Sequence, residues 1–209
     1  MKTKKIKKAG FSLMVALMLT ASHSFATESW EKVDSKSGIT IYERWVNITK
    51  DLSVKERKGE MTIPGSMNSV ICTLCDPSKT KLWMENVSDA YLIKKESENI
   101  WSSYTYFSLP WPFESRDLVA VSKLNYLTPT MATIEMISKD NTLPEKKNVK
   151  RFMNYKAIWK IADLGNGNIY LSFSAISYTA PEFPRFIQDP VVRGAFLRNL
   201  LNLKVILCH

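Results

Sequence analysis

Along residues 39–46 (ITIYERWV), Ile39, Ile41 and Trp45 alternate with Thr40, Tyr42 and Arg44, so apolar and polar side chains fall on opposite faces of one strand. A second, more polar strand covers 52–63 and is closed by Pro64-Gly65. Behind Ser66, a residue suited to an N-cap, Met67, Val70, Ile71 and Leu74 recur at helical spacing until Asp76-Pro77 stops the helix. From there the pattern predicts strands at 90–95, 100–109, 118–127, 131–138, 151–162 and 168–178, with polar or proline-bearing breaks such as 125–129 and 139–147 between them. Gaps this short join successive strands as antiparallel hairpins. After Pro181 and Pro184 the period changes. Val192, Phe196, Leu200, Leu203 and Leu207 form one apolar stripe, which predicts a closing helix over about 184–207.

The sum is an α+β fold in which a curved antiparallel sheet wraps around a long C-terminal helix, with one short helix between the early strands. A sheet wider than one helix can fill leaves a lined cavity. Residues 100–109 fit that picture, because Trp101, Tyr104, Tyr106 and Phe107 are interleaved with Ser102, Ser103 and Thr105. An ordinary aromatic core produces the same pattern, and composition does not separate the two. No internal repeat, linker or low-complexity run interrupts the chain.

With 209 residues, 45% of them apolar and 23% charged, the chain has enough hydrophobic content for one compact, well-buried domain. The net charge of +9 is misleading as a sign of nucleic-acid binding, because five lysines (Lys2, Lys4, Lys5, Lys7, Lys8) crowd the first eight residues. They precede an apolar run, Phe11 to Ala21, and a small-x-small ending at Ser24-Phe25-Ala26, the three parts of a secretory signal peptide. The run is about half of the roughly 20 residues a spanning helix needs. Residues 1–26 therefore read as a cleavable signal peptide and residues 27–209 as the mature domain, periplasmic or secreted. Removal of the peptide leaves 24 basic against 20 acidic side chains, too mild an excess for a nucleic-acid partner.

Cys72 and Cys75 form a CxxC, and Cys208-His209 closes the chain. A redox CxxC places its first thiol at a helix N-terminus, where the dipole favours the thiolate. Here the pair comes at the end of its helix, and a terminal dipeptide makes a poor metal clamp, so incidental thiols are expected and no metal. His23 leaves with the signal peptide, so His209 is the one histidine of the mature chain. Imidazole-based catalysis has almost nothing to work with, and no glycine-rich phosphate loop is present, so no cofactor is expected.

The segment Leu109-Pro110-Trp111-Pro112-Phe113-Glu114-Ser115-Arg116-Asp117-Leu118-Val119 resembles the PWPF…RD-x-V segment of the START superfamily, the steroidogenic-acute-regulatory-protein-related lipid-transfer domains. Other marks fall in order around it: Trp30 before the strand Gly38 to Tyr42, then Leu74-Cys75-Asp76, Trp83, Trp159, and Pro181-x-x-Pro184 before a helix containing Phe196-Leu197-Arg198-Asn199-Leu200. The resemblance covers essentially all of residues 27–209. It implies the helix-grip fold and a tunnel between sheet and closing helix that holds one lipid, fatty acyl or sterol-like ligand for transfer or sequestration. It also implies transient membrane contact, and we expect a monomer without catalytic residues. The expected tunnel wall is Trp83, Trp101, Tyr104, Arg116, Trp159, Phe173, Ala175, Phe196 and Leu200. Members that carry sterols or phospholipids often have an arginine six positions after the RD arginine; that position is Ser122 here.

Arg116 and Asp117 read either as structural partners at a bend or as a head-group anchor, and Arg151 is a second candidate, sharing the parity of Tyr155, Ala157 and Trp159. Two rival functions stay open: an enzyme of the related cyclase or hydrolase type, with Glu85 or Tyr104 in acid–base work, and an interaction module whose cavity is filled by its own side chains.

Overall fold

The computed structural model describes residues 29–139 and 142–208; the expected signal peptide and His209 lie outside these described residues. Ten strands form one sheet: β1 (Glu31–Lys36), β2 (Ile39–Asn47), β3 (Ser53–Pro64), β4 (Val87–Ser97), β5 (Ile100–Phe107), β6 (Arg116–Thr128), β7 (Met131–Ser138), β8 (Lys150–Arg151), β9 (Tyr155–Gly165) and β10 (Asn168–Ser177). Their spatial order is β1-β2-β3-β10-β9-β7-β6-β5-β4, antiparallel throughout, with the two-residue β8 added in parallel beside β6. The helices are α1 (Met67–Leu74), α2 (Thr80–Trp83) and α3 (Arg185–Leu207). This is the α+β arrangement that the periodicity predicts, and the helix-grip fold that the resemblance implies.

The local causes are mostly those in the sequence. Ser66 caps α1, its hydroxyl accepting from the Ser69 amide at 3.2 Å. Asp76 and Pro77 end that helix but start a new 3-10 turn, Pro77–Lys79, whose first amide Asp76 caps; α2 follows at once. Strand β1 goes unpredicted because it is an edge of almost uniformly exposed polar residues with no alternation to detect. The stretch expected as one strand over 151–162 is two: Asn154 takes φ +52° between β8 and β9, which resets the alternation. Arg151 therefore does not share the face of Tyr155. Pro184 is the N-cap of α3 as expected, whereas Pro190 lies inside it and denies the Phe186 carbonyl its helical donor.

Helix α3 crosses the sheet over β2 and β3. Gly59 permits this, since a Cβ there would collide with Leu200 and press on Phe196 and Ile41. Leu197, Leu200 and Leu203 are buried, with Phe196 packed beside them. Asn199 accepts from the Glu85 amide (2.8 Å), Asn202 donates to the Trp83 carbonyl (3.2 Å), and Lys204 donates to the Ser37 carbonyl (2.8 Å). The C-terminal half of the helix is thus tied to α2 and to the β1–β2 turn.

Candidate functional site

Cross-strand pairing assigns every residue to the inner face, toward α3, or to the outer one. One inner row runs Ile41, Gly59, Phe173, Trp159, Ile134, Leu124. The next runs Glu43, Arg57, Ala175, Ala157, Met136, Ser122, Trp101. A third joins Trp45 to Lys55 and Ser177 to Tyr155.

In the first row Phe173 stacks between Trp159 (4.3 Å between centroids) and Phe196 of α3 (5.4 Å), and Trp83 meets Trp159 edge-on at 6.2 Å. The structure therefore brings Trp83, Trp159, Phe173, Phe196 and Leu200 together, as one packed aromatic and aliphatic cluster. Trp101 and Ala175 lie on the same face one row further.

Tyr104 does not join them. Strand β5 pairs with β6 without a bulge, so Tyr104 has the opposite parity to Trp101 and faces outward. There it stacks on Tyr91 at 5.0 Å, with the Lys146 ammonium 4.6 Å from its ring centre. Its burial under the 142–150 segment is what makes an outward residue resemble a core one.

Arg116 sits at the start of β6, ion-paired with Glu182 and 5.0 Å from the Phe152 ring centre. Asp117, its neighbour, is buried on the outer face and accepts from Arg151 at 2.9 and 2.8 Å, while Arg151 also donates to the carbonyls of Leu143 (2.6 Å) and Pro144 (3.2 Å). The RD pair is thereby divided between a partner from the segment before α3 and one from β8, and Asp117 and Arg151 form a buried structural ion pair.

The second row is chemically different from the first. Ala175, Met136 and, in the third row, Tyr155 point inward, are half-buried and pack against the core cluster. The phenol end of Tyr155 is the buried part, and that burial alone pushes it well above its ordinary pKa. The Ser122 hydroxyl, on the same row, is fully buried and has no hydrogen-bond partner among the described residues. The row thus sets two alanines, a half-buried methionine and an unpartnered hydroxyl side by side on the inner face.

The far end of this row holds a charged cluster that the strand reading passed over, because Glu43 stands at an inward position between Ile41 and Trp45. Glu43 accepts from Arg193 of α3 at 3.0 and 2.9 Å, from Lys55 at 3.0 Å and from Arg57 at 3.1 Å. Asp189 of α3 pairs with Lys55 at 3.1 Å and Arg57 at 3.2 Å. Burial by itself would raise the Glu43 carboxyl; the bonds from Arg193 and Lys55 and the charge of Arg57 more than reverse this and hold it at about 2. A charged residue out of place in an alternating strand was the available signal.

Glu85 is ion-paired with Arg198 at 2.8 Å. Cys75 caps the end of α1, its amide donating to Ile71, and burial pushes its thiol up to about 11; Cys72 is exposed. The CxxC is thus at the thiolate-disfavouring end of its helix.

Comparison with protein-family models and with curated proteins gives no match. Among solved structures, a STAR-related lipid transfer protein fragment from Xanthomonas axonopodis is 20% identical, with a TM-score of 0.77 over 87% of this chain and 100% of that one. Human StAR-related lipid transfer protein 5 is 17% identical, with a TM-score of 0.71 over 85% and 86% of the two chains, and human STARD10 is 16% identical, with 0.70 over 84% and 71%. At these identities the likeness is one of architecture, and it agrees with the strand order and the closing helix: this chain has the fold of the STAR-related lipid-transfer proteins.

Proposed function

We propose that this protein is a START-type carrier that takes one hydrophobic ligand into the space between α3 and the inner face of the sheet and transfers or sequesters it without chemistry. The observation that carries the reading is the second inner row, where Ala175 and Met136 are half-buried and the Ser122 hydroxyl is left without a partner. Each methylene placed there contributes roughly 0.8 kcal/mol by leaving water. The carboxylates speak for a carrier and against an acid–base enzyme, since Glu43 is held ionised and Glu85 is bound to Arg198.

Transient membrane contact is part of the proposal. Trp111 is 92% exposed and Phe186 79%, and their segments meet where Phe113 packs on Phe183 at 4.9 Å. Two exposed aromatics beside the N-terminal end of α3 are suited to an interfacial surface. Export completes it: N-terminal sequencing of the secreted or periplasmic protein is expected to begin at Thr27 or within a few residues, and a chain still starting at Met1 would refute export with cleavage.

Ala175→Trp tests the cavity. Overpacking costs about 1–3 kcal/mol, which leaves a folded protein, and the indole fills space beside Ala157. Displacement of a fluorescent fatty acid or sterol probe is expected to weaken at least tenfold while circular dichroism stays native. Undiminished uptake by the folded variant would remove the cavity from this face.

A further inference from the structure

The Glu43 cluster is not balanced in charge. Lys55, Arg57 and Arg193 face two carboxylates, Glu43 and Asp189, at the junction of the sheet with the N-terminal half of α3. All five side chains are at least two-thirds buried, so water screens the surplus cation poorly. Asp34, whose charge also acts on Arg193, is exposed on β1 and screened.

Beside this cluster opens a cleft of about 610 Å³ between the β2–β3 turn and the segment leading into α3, lined in part by Trp45, Asn47, Ser53, Pro181 and Arg185. Trp45 is common to both: the Lys55 ammonium lies 5.0 Å and the Arg185 guanidinium 4.7 Å from its ring centre. Arg185 donates to the Ser53 carbonyl and has no carboxylate within ion-pair reach among the described residues. Asp51, also on the rim, offsets Arg185 in the charge count, which leaves the surplus of one positive charge standing. Trp45, which lines the cleft, belongs by register to the inner face of the sheet, the face that also carries Tyr155, Ala175 and Met136, so the cleft borders that face.

We propose that this cleft is the head-group end of the ligand site and selects amphiphiles that end in a compact oxyanion, a carboxylate or phosphate, which the surplus cation and Arg185 receive while the hydrocarbon follows the Ala175–Ala157–Met136 row. The inference rests on the carrier reading and narrows it to a ligand class. Guanidinium groups match either oxyanion in geometry, and a partly dry setting strengthens the contact.

The test compares a fluorescent long-chain fatty acid with the same labelled chain ending in an alcohol, on the mature protein. Wild type is expected to bind the acid at least tenfold more tightly, with the preference falling as salt rises. In Arg185→Gln the acid-to-alcohol ratio is expected to drop several-fold. Lys55→Gln, which makes the cluster neutral, is expected to bring the ratio near one and serves as the second variant if the first does not fold. Equal binding of both probes by wild type, or an unchanged ratio in both folded variants, would overturn the inference and leave the carrier reading in place. Failure of folded wild type to bind either probe would count against the carrier reading itself and overturn both. Calorimetry with inorganic phosphate alone separates the sources: binding as tight as that of the acid would make this a free-anion site and overturn the amphiphile assignment.

Discussion

Glu43→Gln is expected to destabilise the fold by about 3 kcal/mol at neutral pH, measured by urea denaturation. The folded carboxyl sits at about 2 against an ordinary 4.5, and a shift of that size corresponds to about 3 kcal/mol. The sign follows from the depression: the stabilisation is complete above pH 4.5 and is lost as pH falls toward 2. The wild type should therefore lose stability across that window, and the variant should show a much flatter dependence there. The amide leaves Lys55 and Arg57 with Asp189 as their one carboxylate and Arg193 without an ion-paired carboxylate among the described residues, which is the costly way to break a buried ion cluster. Because Arg193 and Asp189 belong to α3, hydrogen exchange should rise first in the N-terminal half of that helix; a uniform rise would show that the cluster does not fasten it. A variant as stable as wild type would refute the assignment of Glu43 as the centre of the cluster.

Asp117→Asn is expected to cost about 3–5 kcal/mol, since it leaves the Arg151 guanidinium, 5% exposed, without its carboxylate. Arg151 also fastens the 142–150 segment through Leu143 and Pro144, so limited proteolysis should begin cutting there. Replacing the pair together by Asp117→Leu and Arg151→Met should recover much of the loss, because well-packed apolar groups substitute for a buried ion pair at little cost. Ligand uptake by the double variant should persist, as the pair lies on the outer face. No thermal shift in Asp117→Asn would refute the buried-pair account.

The RD dipeptide shows how far local reading reaches. Adjacent residues in a strand point to opposite faces, so one of the two had to face outward, but nothing in the dipeptide says which partners arrive. Glu182 comes from the segment before α3 and Arg151 from beyond a turn, at separations no local pattern encodes. Arg151 itself was placed on the wrong face because a single left-handed Asn154 reset the count.

The sequence by itself determined the order of the longer strands, their antiparallel character, the first helix and the closing helix, because each depends on period-two or period-3.6 patterning, N-caps and prolines that act within a few residues; β1, α2 and the break between β8 and β9 carry no such pattern. It also pointed to the aromatic cluster, in which Trp159 and Phe173 are inward by strand alternation and Phe196 and Leu200 by the helical stripe of α3. Tertiary structure alone decided that Tyr104 faces out under a covering segment, that Ser122 is left unpartnered, and that Glu43 and Asp189 meet three cations. These depend on tertiary neighbours outside any local pattern, Lys146 for Tyr104 and, 150 residues away, Arg193 for Glu43. A strand's alternation specifies which face a side chain takes, whereas the fold specifies what it meets there.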